Sequence, residues 1–217
     1  MFGLFGGKKD KQSDAGPKAP EIMGLRLNCS FELDALHLKL LEPNLLAAGI
    51  SQSHIIEAVG QVDLDDVTIL RFYTDDEAFL QVVCEGALEE QNVTDVKLFH
   101  YYNTLDVSSA QDWDDLLQNK IGVENYLLEG HSYSRVWQST SAYHQPVAMT
   151  EKTYASNGTI SETDQFVMLF ERFVDQENTE SLLLSAEEVI EGYDNVSRCF
   201  VMSTGVVITP SQITIHG

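Results

Sequence analysis

Strand-like patterns, in which apolar residues either alternate with polar residues or form short runs, dominate the chain from residue 22 onward. Residues 25–33 alternate leucine, cysteine and phenylalanine with polar residues, which is the period of a strand with one buried face. The pattern therefore predicts an α+β, β-rich fold of mostly antiparallel sheet, with about ten strands and one or two short helices. Similar alternation or short apolar runs predict further strands, among them 55–64, 69–73, 78–84, 95–102, 147–154, 166–174, 181–184, 198–202 and 206–209.

Two segments indicate helices and one indicates a tight hairpin. A serine followed by acidic residues, with a tryptophan and two leucines at helical spacing, predicts a helix over 108–117. A second short helix would follow Asp34 and end at Pro43, although the alternating leucines at 36–40 fit a strand equally well. Asn157-Gly158 predicts a hairpin with positive backbone angles at both positions.

The first twenty residues have the opposite chemistry from the rest of the chain. They hold four lysines against two aspartates, a net charge of +2, whereas residues 21–217 hold nine basic against 32 acidic residues, a net charge of −23. We expect residues 1–21 to be a flexible leader and linker and residues 22–217 to be a single β-rich domain. The apolar-basic tip indicates attachment to a membrane surface or a membrane-associated protein, or else a disordered leader. Its candidate attachment residues are Phe2, Leu4, Phe5, Lys8, Lys9 and Lys11.

Composition argues against several classes of protein. The acidic body repels phosphates, so no nucleic-acid partner is expected. The cysteines at 29, 84 and 199 are widely spaced in apolar runs, which matches neither a disulfide framework nor a zinc site and indicates buried thiols. No apolar run is long enough to span a membrane, and the tip lacks the order of a signal peptide. We therefore expect a cytoplasmic protein, peripheral to the inner membrane.

The five arginines after residue 20 each have an apolar neighbour within a predicted strand. Such arginines either converge on an anion site or form structural ion pairs at strand surfaces, and the sequence leaves both open. The candidate cluster is Arg71, Arg135 and Arg172 with Glu151 and Glu187. Glu151 shares its predicted face with apolar residues, so it would be a partly buried carboxylate. It would then act as an acid or base, or pair with an arginine such as Arg172.

The remaining polar clusters do not indicate a catalytic centre. Acidic runs at 63–66, 75–77, 112–115 and 187–191 are typical of solvated turns and helix ends, and the first lacks the glycine that a calcium loop needs at its sixth position. The histidines show no paired metal spacing, and neither a nucleophile elbow nor a phosphate loop occurs. We therefore expect no metal or cofactor and assign no catalytic residue.

Several ordered blocks resemble the YjfK-like family of bacterial proteins, a family of unknown function. They are Leu33-Asp34, the segment from Arg71 to Val82, and residues 95–99, 133–137, 163–165 and 184–188. The resemblance covers most of residues 22–215 and implies no established activity, cofactor or catalytic residue. The family resembles neighbours in gene clusters that also encode proteins similar to phage-shock membrane-stress proteins and small membrane proteins, which implies an envelope setting.

These observations favour one function and leave one alternative. We expect a non-enzymatic adaptor or interaction protein near the inner face of the membrane, acting in envelope stress, with the tip as its attachment device. The alternative is a small-ligand binder or an enzyme that uses the arginine/carboxylate cluster. That alternative requires a concave pocket in which at least two of these side chains meet without full mutual pairing.

Overall fold

The computed structural model describes residues 18–47, 49–191 and 195–217, and within them twelve strands and two short α-helices form. None of the helices in these ranges is long and apolar enough to cross a membrane. The helices are α1 (Ala35–Leu41) and α2 (Ala110–Asp115). The strands are β1 (Ser30–Leu33), β2 (Ser53–Leu64), β3 (Val67–Thr74), β4 (Ala78–Glu85), β5 (Val93–Asp106), β6 (Asn125–Leu128), β7 (His131–Arg135), β8 (Val147–Ala155), β9 (Ile160–Phe173), β10 (Thr179–Glu191), β11 (Asn195–Val207) and β12 (Ile213–His216).

Eight of these strands close into an antiparallel barrel. Around the wall the order is β2, β3, β4, β5, β11, β10, β9 and β8, and β8 pairs back with β2. β1 and β12 extend the sheet beyond β2, and β7 and β6 extend it beyond β9. The predicted antiparallel, β-rich fold is confirmed, but twelve strands replace about ten. The closure was not predicted, because it pairs Gln61 with Lys152 and local alternation carries no information about such distant partners.

Each wall strand turns alternate side chains into the barrel. The interior apolar cluster consists of Val62, Phe79, Phe99, Met149, Val167 and Leu183. The outer faces are covered as well: the N-terminal segment and β1 pack over β2–β5, and α2 with β6 and β7 packs over β9–β11. Because most wall strands are buried on both faces, their sequences read as apolar runs rather than as strict alternation.

Both predicted helices form, and each has a visible cap. The carboxylate of Asp34 accepts the N–H of Leu36 at 2.9 Å, so the helix alternative at this segment is correct and the strand alternative is wrong. The hydroxyl of Ser109 accepts the N–H of Asp112 at 3.0 Å. The regular part of α2 is shorter than predicted because Leu116–Lys120 continues as a π-helical turn.

The predicted hairpin joins β8 to β9, but its turn geometry differs from the prediction. Gly158 has a positive φ of 84°, whereas Asn157 does not. The N–H of Gly158 donates to the carbonyl of Ala155, and the side chain of Asn157 accepts the N–H of Thr159, each at 2.9 Å. The asparagine therefore stabilises the turn through its side chain rather than through a left-handed backbone.

Several other strand predictions have wrong bounds; the strand predicted at 166–174, for example, is β9, which begins at Ile160. Within 25–33 only β1 is a strand, because the preceding residues form turns, with Asn28 at a φ of 66°. β10 extends well beyond 181–184, and the two segments predicted at 198–209 are one strand, β11. Serines at 185 and 203 lie buried on these strands, so polar residues interrupted the apolar pattern without ending the strand.

Candidate functional site

A charged cluster lies inside the barrel around Arg71. Nη1 of Arg71 donates to Oε2 of Glu151 and, at 2.7 Å, to Oε1 of Gln165, while its Nε donates to Oε1 of Gln81 at 3.1 Å. The hydroxyl of Tyr73 donates to the other Glu151 oxygen at 2.6 Å. The side chains of Arg71 and Glu151 are only 4% and 1% exposed. The pair is therefore buried, and neutral hydrogen-bonding groups complete its coordination.

Backbone register explains why these residues meet. Arg71 on β3 lies opposite Gln81 on β4 and Gly60 on β2. A Cβ atom on Gly60 would lie 1.7 Å from Oε1 of Glu151 and 3.1 Å from the Tyr73 ring, so the Glu151 carboxylate occupies the space that a side chain would need. The sequence reasoning missed Gly60. The available signal was a glycine inside a strand pattern, which is typical of a close approach by another group.

Glu187 gives the cluster a second carboxyl group. Nε2 of Gln165 donates to Glu151 at 3.1 Å and to Glu187 at 3.3 Å, which links the two glutamates. Burial raises the pKa of Glu187, and the negative charge of Glu151 raises it further, while Arg71 opposes the shift. Burial and the neighbouring Glu187 likewise raise the pKa of Cys199 to about 11. The cluster thus holds one cation against two carboxyl groups, one more than Arg71 can neutralise.

The raised pKa of Glu187 predicts a pH-dependent contribution to stability. The folded state binds a proton between the ordinary carboxyl pKa of 4.5 and the raised value, so the free energy of unfolding falls as pH rises through that window. We expect Glu187→Gln to be more stable than the wild type at about pH 8, with the advantage shrinking towards pH 4. Chemical unfolding at both pH values measures this, and a difference that does not vary with pH would contradict it.

The other two candidate arginines lie elsewhere. Arg135 donates to main-chain carbonyls, including those of Gly122 at 2.6 Å and Trp137 at 2.9 Å, and thereby organises a loop. Arg172 pairs with Glu180 on the outer face of the barrel, with Nη2 2.7 Å from Oε2. The structure therefore brings together Arg71, Glu151 and Glu187 and separates Arg135 and Arg172 from them. The suggested partner of Glu151 was Arg172, and its actual partner is Arg71.

The candidate attachment residues Phe2, Leu4, Phe5, Lys8, Lys9 and Lys11 lie outside the described residues. The chain enters the described part at Lys18, beside Glu89 and Glu90, with which it lines a shared groove.

Two acidic runs meet at one end of the barrel and form a continuous surface. The N–H of Gly86, in the turn after β4, donates to the carbonyl of Asp66, in the turn after β2, at 2.6 Å. This contact places the β2–β3 turn against the β4–β5 connection, and all of their carboxylates are exposed. We call this surface the acidic rim; it consists of Asp63, Asp65, Asp66, Glu85, Glu89 and Glu90.

Cations and carboxylates are distributed differently between interior and surface. The described ranges contain ten of the 13 basic residues, all except Lys8, Lys9 and Lys11. They contain 31 of the 34 acidic residues, all except Asp10, Asp14 and Asp194. Arg71, Lys97 and Arg135 are buried. Nζ of Lys97 lies 2.6 Å from Oδ2 of Asp95 and 3.7 Å from Oε1 of Glu171. Buried cations paired in this way do little to neutralise the outer surface.

Among the described residues, no group of three or more His, Cys, Asp or Glu side chains could hold a metal ion.

Comparison with known proteins places the chain in a family. The model of a family described as "Protein of unknown function (DUF2491)" matches residues 1–214. The chain belongs to this family. It is 31% identical over 224 residues to the uncharacterized protein YjfK of Escherichia coli (strain K12), and the match covers the whole of both chains. The predicted resemblance is thereby confirmed. No solved structure matches the chain. The DUF2491 description states no activity, so residue roles rest on the geometry.

Proposed function

We propose that this DUF2491 protein is a non-enzymatic interaction protein that docks a basic partner on its acidic rim and attaches to the inner face of the membrane through residues 1–11. The observation that carries the docking role is the acidic rim itself: six exposed carboxylates on two connections that the hydrogen bond from Gly86 to Asp66 joins. Surface charge of one sign steers and selects a partner of the opposite sign.

The rim also indicates the chemistry of the partner. Lys18 and Arg26 line the groove beside Glu89 and Glu90 and offset part of the charge there. On the half of the rim formed by the β2–β3 turn, Asp63 accepts hydrogen bonds from the neutral side chains of Gln61 and Thr68, which leave its charge in place. Lysine or arginine side chains of a partner would therefore gain most on that half. A lysine-rich segment of another protein is the partner class that fits.

Membrane attachment is supported by the chemistry of the tip. Two phenylalanines and a leucine can enter a lipid interface, and nearby lysines favour anionic headgroups. The acidic body opposes close approach to the same surface, so the linker at 12–17 would hold it away. A role in envelope stress agrees with the gene-cluster association of the family.

One observation favours a second candidate, a small-ligand binder or an enzyme. Glu187 is a surplus carboxyl with a raised pKa beside a buried ion pair, and such groups are common at functional sites. We rank this candidate second because Arg71 and Glu151 satisfy each other and are almost completely buried, which leaves little unpaired charge for a ligand.

A matched pair of variants tests the docking role. The rim variant replaces the six rim carboxylates by their amides. The control variant does the same to six exposed carboxylates elsewhere, so both lose equal charge: Glu57, Asp106, Asp114, Glu124, Glu162 and Glu177. We expect the rim variant to bind a fluorescent lysine-rich peptide about tenfold more weakly than the control, because only it loses adjacent charges. Equal affinities in an anisotropy titration would count against the rim as the docking surface.

A further inference from the structure

The barrel wall is open between β2 and β8 at one end. These strands pair from Ala58 to Gln61 on β2 and from Ala155 to Lys152 on β8, and pairing stops there. Continuing the register would place Asp63 opposite Thr150 and Leu64 opposite Met149. Instead these residues line a groove of about 490 Å³, which continues over Asp164 and Phe166 on β9 and Glu188 on β10. β8 therefore pairs with β9 over Val147–Glu151 but presents its other edge to the groove.

An open strand edge of this kind invites another strand. Native proteins usually cover such edges, because the unpaired N–H and C=O groups pair readily with an additional extended segment. Among the residues that line the groove, Leu64 and Phe166 are half-buried apolar residues, whereas Met149 is buried in the interior cluster. Asp63, Asp164 and Glu188 contribute carboxylates, and Glu188 is already paired with Arg198. Asp164 is hydrogen-bonded by the Thr150 hydroxyl at 2.6 Å, a neutral partner that leaves its charge in place. An occupant that is both apolar and basic fits these walls.

We infer that this groove binds the chain's own residues 1–11 as an added strand alongside β8. In an extended segment Phe2 and Leu4 lie on one face, which suits the apolar walls. Lys8, Lys9 and Lys11 follow and complement Asp63, Asp164 and the neighbouring rim.

The position of Lys18 makes this contact reachable. Lys18 lies beside the β4–β5 connection, and β4, β3, β2 and β8 are consecutive neighbours in the wall. At about 4.8 Å between neighbouring strands, the groove lies roughly 15–20 Å away. The seven residue steps from Lys11 to Lys18 span up to about 25 Å when extended. The linker is therefore long enough to deliver the tip.

This inference rests on the proposed function and adds regulation to it. A tip that is bound in the groove is not exposed to lipid, so docking would withhold the attachment segment until an anionic membrane surface competes for it. The groove and the membrane would then be alternative sites for the same residues.

Hydrogen exchange of the full chain tests the inference. We expect those amides of Val147–Glu151 that point away from β9 to exchange about tenfold more slowly in the wild type than in a Phe2→Ser/Leu4→Ser variant. The edge strand β12 should exchange alike in both. Asp63→Lys/Asp164→Lys should lose the same protection, whereas Asp106→Lys/Glu124→Lys, at exposed positions outside the groove, should keep it. Equal exchange of Val147–Glu151 in the wild type and the tip variant would overturn the inference, as would protection that rises with protein concentration, which would indicate a second copy.

Adding anionic vesicles that contain phosphatidylglycerol tests docking in the groove and membrane attachment separately. If both are correct, adding vesicles accelerates exchange at Val147–Glu151 in the wild type. If the protection depends on the tip and survives vesicles, docking in the groove stands and membrane attachment fails.

Discussion

Replacing Glu151 by alanine is expected to lower the free energy of unfolding by about 3–5 kcal/mol. The variant leaves the Arg71 guanidinium inside the barrel without its counter-ion, and Tyr73 loses its acceptor. The interior offers little water to replace the carboxylate, since Arg71 is 4% exposed. Urea unfolding followed by circular dichroism measures the change.

A double variant distinguishes the cost of leaving a buried charge unpaired from the cost of losing side-chain packing. In Arg71→Met/Glu151→Met both members of the ion pair are removed together, so neither is left without its partner, and we expect this variant to be more stable than Glu151→Ala despite its two substitutions. The exposed Glu162 provides a control, because Glu162→Ala should change stability by less than about 0.5 kcal/mol. A Glu151→Ala variant no less stable than Glu162→Ala would show that the barrel interior is hydrated.

Replacing Glu180 by alanine is expected to cost about 3 kcal/mol or more. Its carboxylate is fully buried and accepts from the Tyr133 hydroxyl at 2.6 Å, from Arg172, and from the backbone N–H of Leu46 at 2.7 Å. Arg172 also donates to the carbonyl of Asn44 at 2.8 Å. The substitution therefore leaves a cation unpaired and releases the segment after α1 from the barrel wall.

Arg172→Ala provides the comparison for this site. It removes the cation and its contact with Asn44 but leaves the Leu46 N–H bonded to Glu180, so the segment after α1 stays attached at one point. We expect hydrogen exchange at Leu46 to accelerate more in Glu180→Ala than in Arg172→Ala. The reverse order would contradict the assignment of Glu180 as the anchor.

The local elements were predictable because their causes are local. The caps at Asp34 and Ser109 and the turn at Asn157-Gly158 depend on residues within a few positions of each other, and the structure contains each of them. Closure of the barrel depends on the pairing of β8 with β2, and alternation alone does not select a partner strand.

The sequence indicated that arginines and glutamates could form a cluster, but it did not indicate which of them would meet. Arginine beside an apolar residue in a predicted strand left open an anion site or ion pairs at strand surfaces, and the structure buries the arginines at 71 and 135. Which arginine meets Glu151 depends on the register of β3 with β2 and on the space that Gly60 leaves. Similarly, the acidic run at 63–66 looks like a solvated turn by itself, and only the contact between Asp66 and Gly86 joins it to the carboxylates of the β4–β5 connection.

The salt dependence of lysine-rich peptide binding tests the central claim most directly. If the rim is the docking surface, the affinity of the wild type should fall steeply from low to physiological salt, and the rim variant should show a much shallower dependence than the charge-matched control. Parallel salt dependences in the rim and control variants would contradict the account, because binding would then follow net charge and not the arrangement of carboxylates on the barrel.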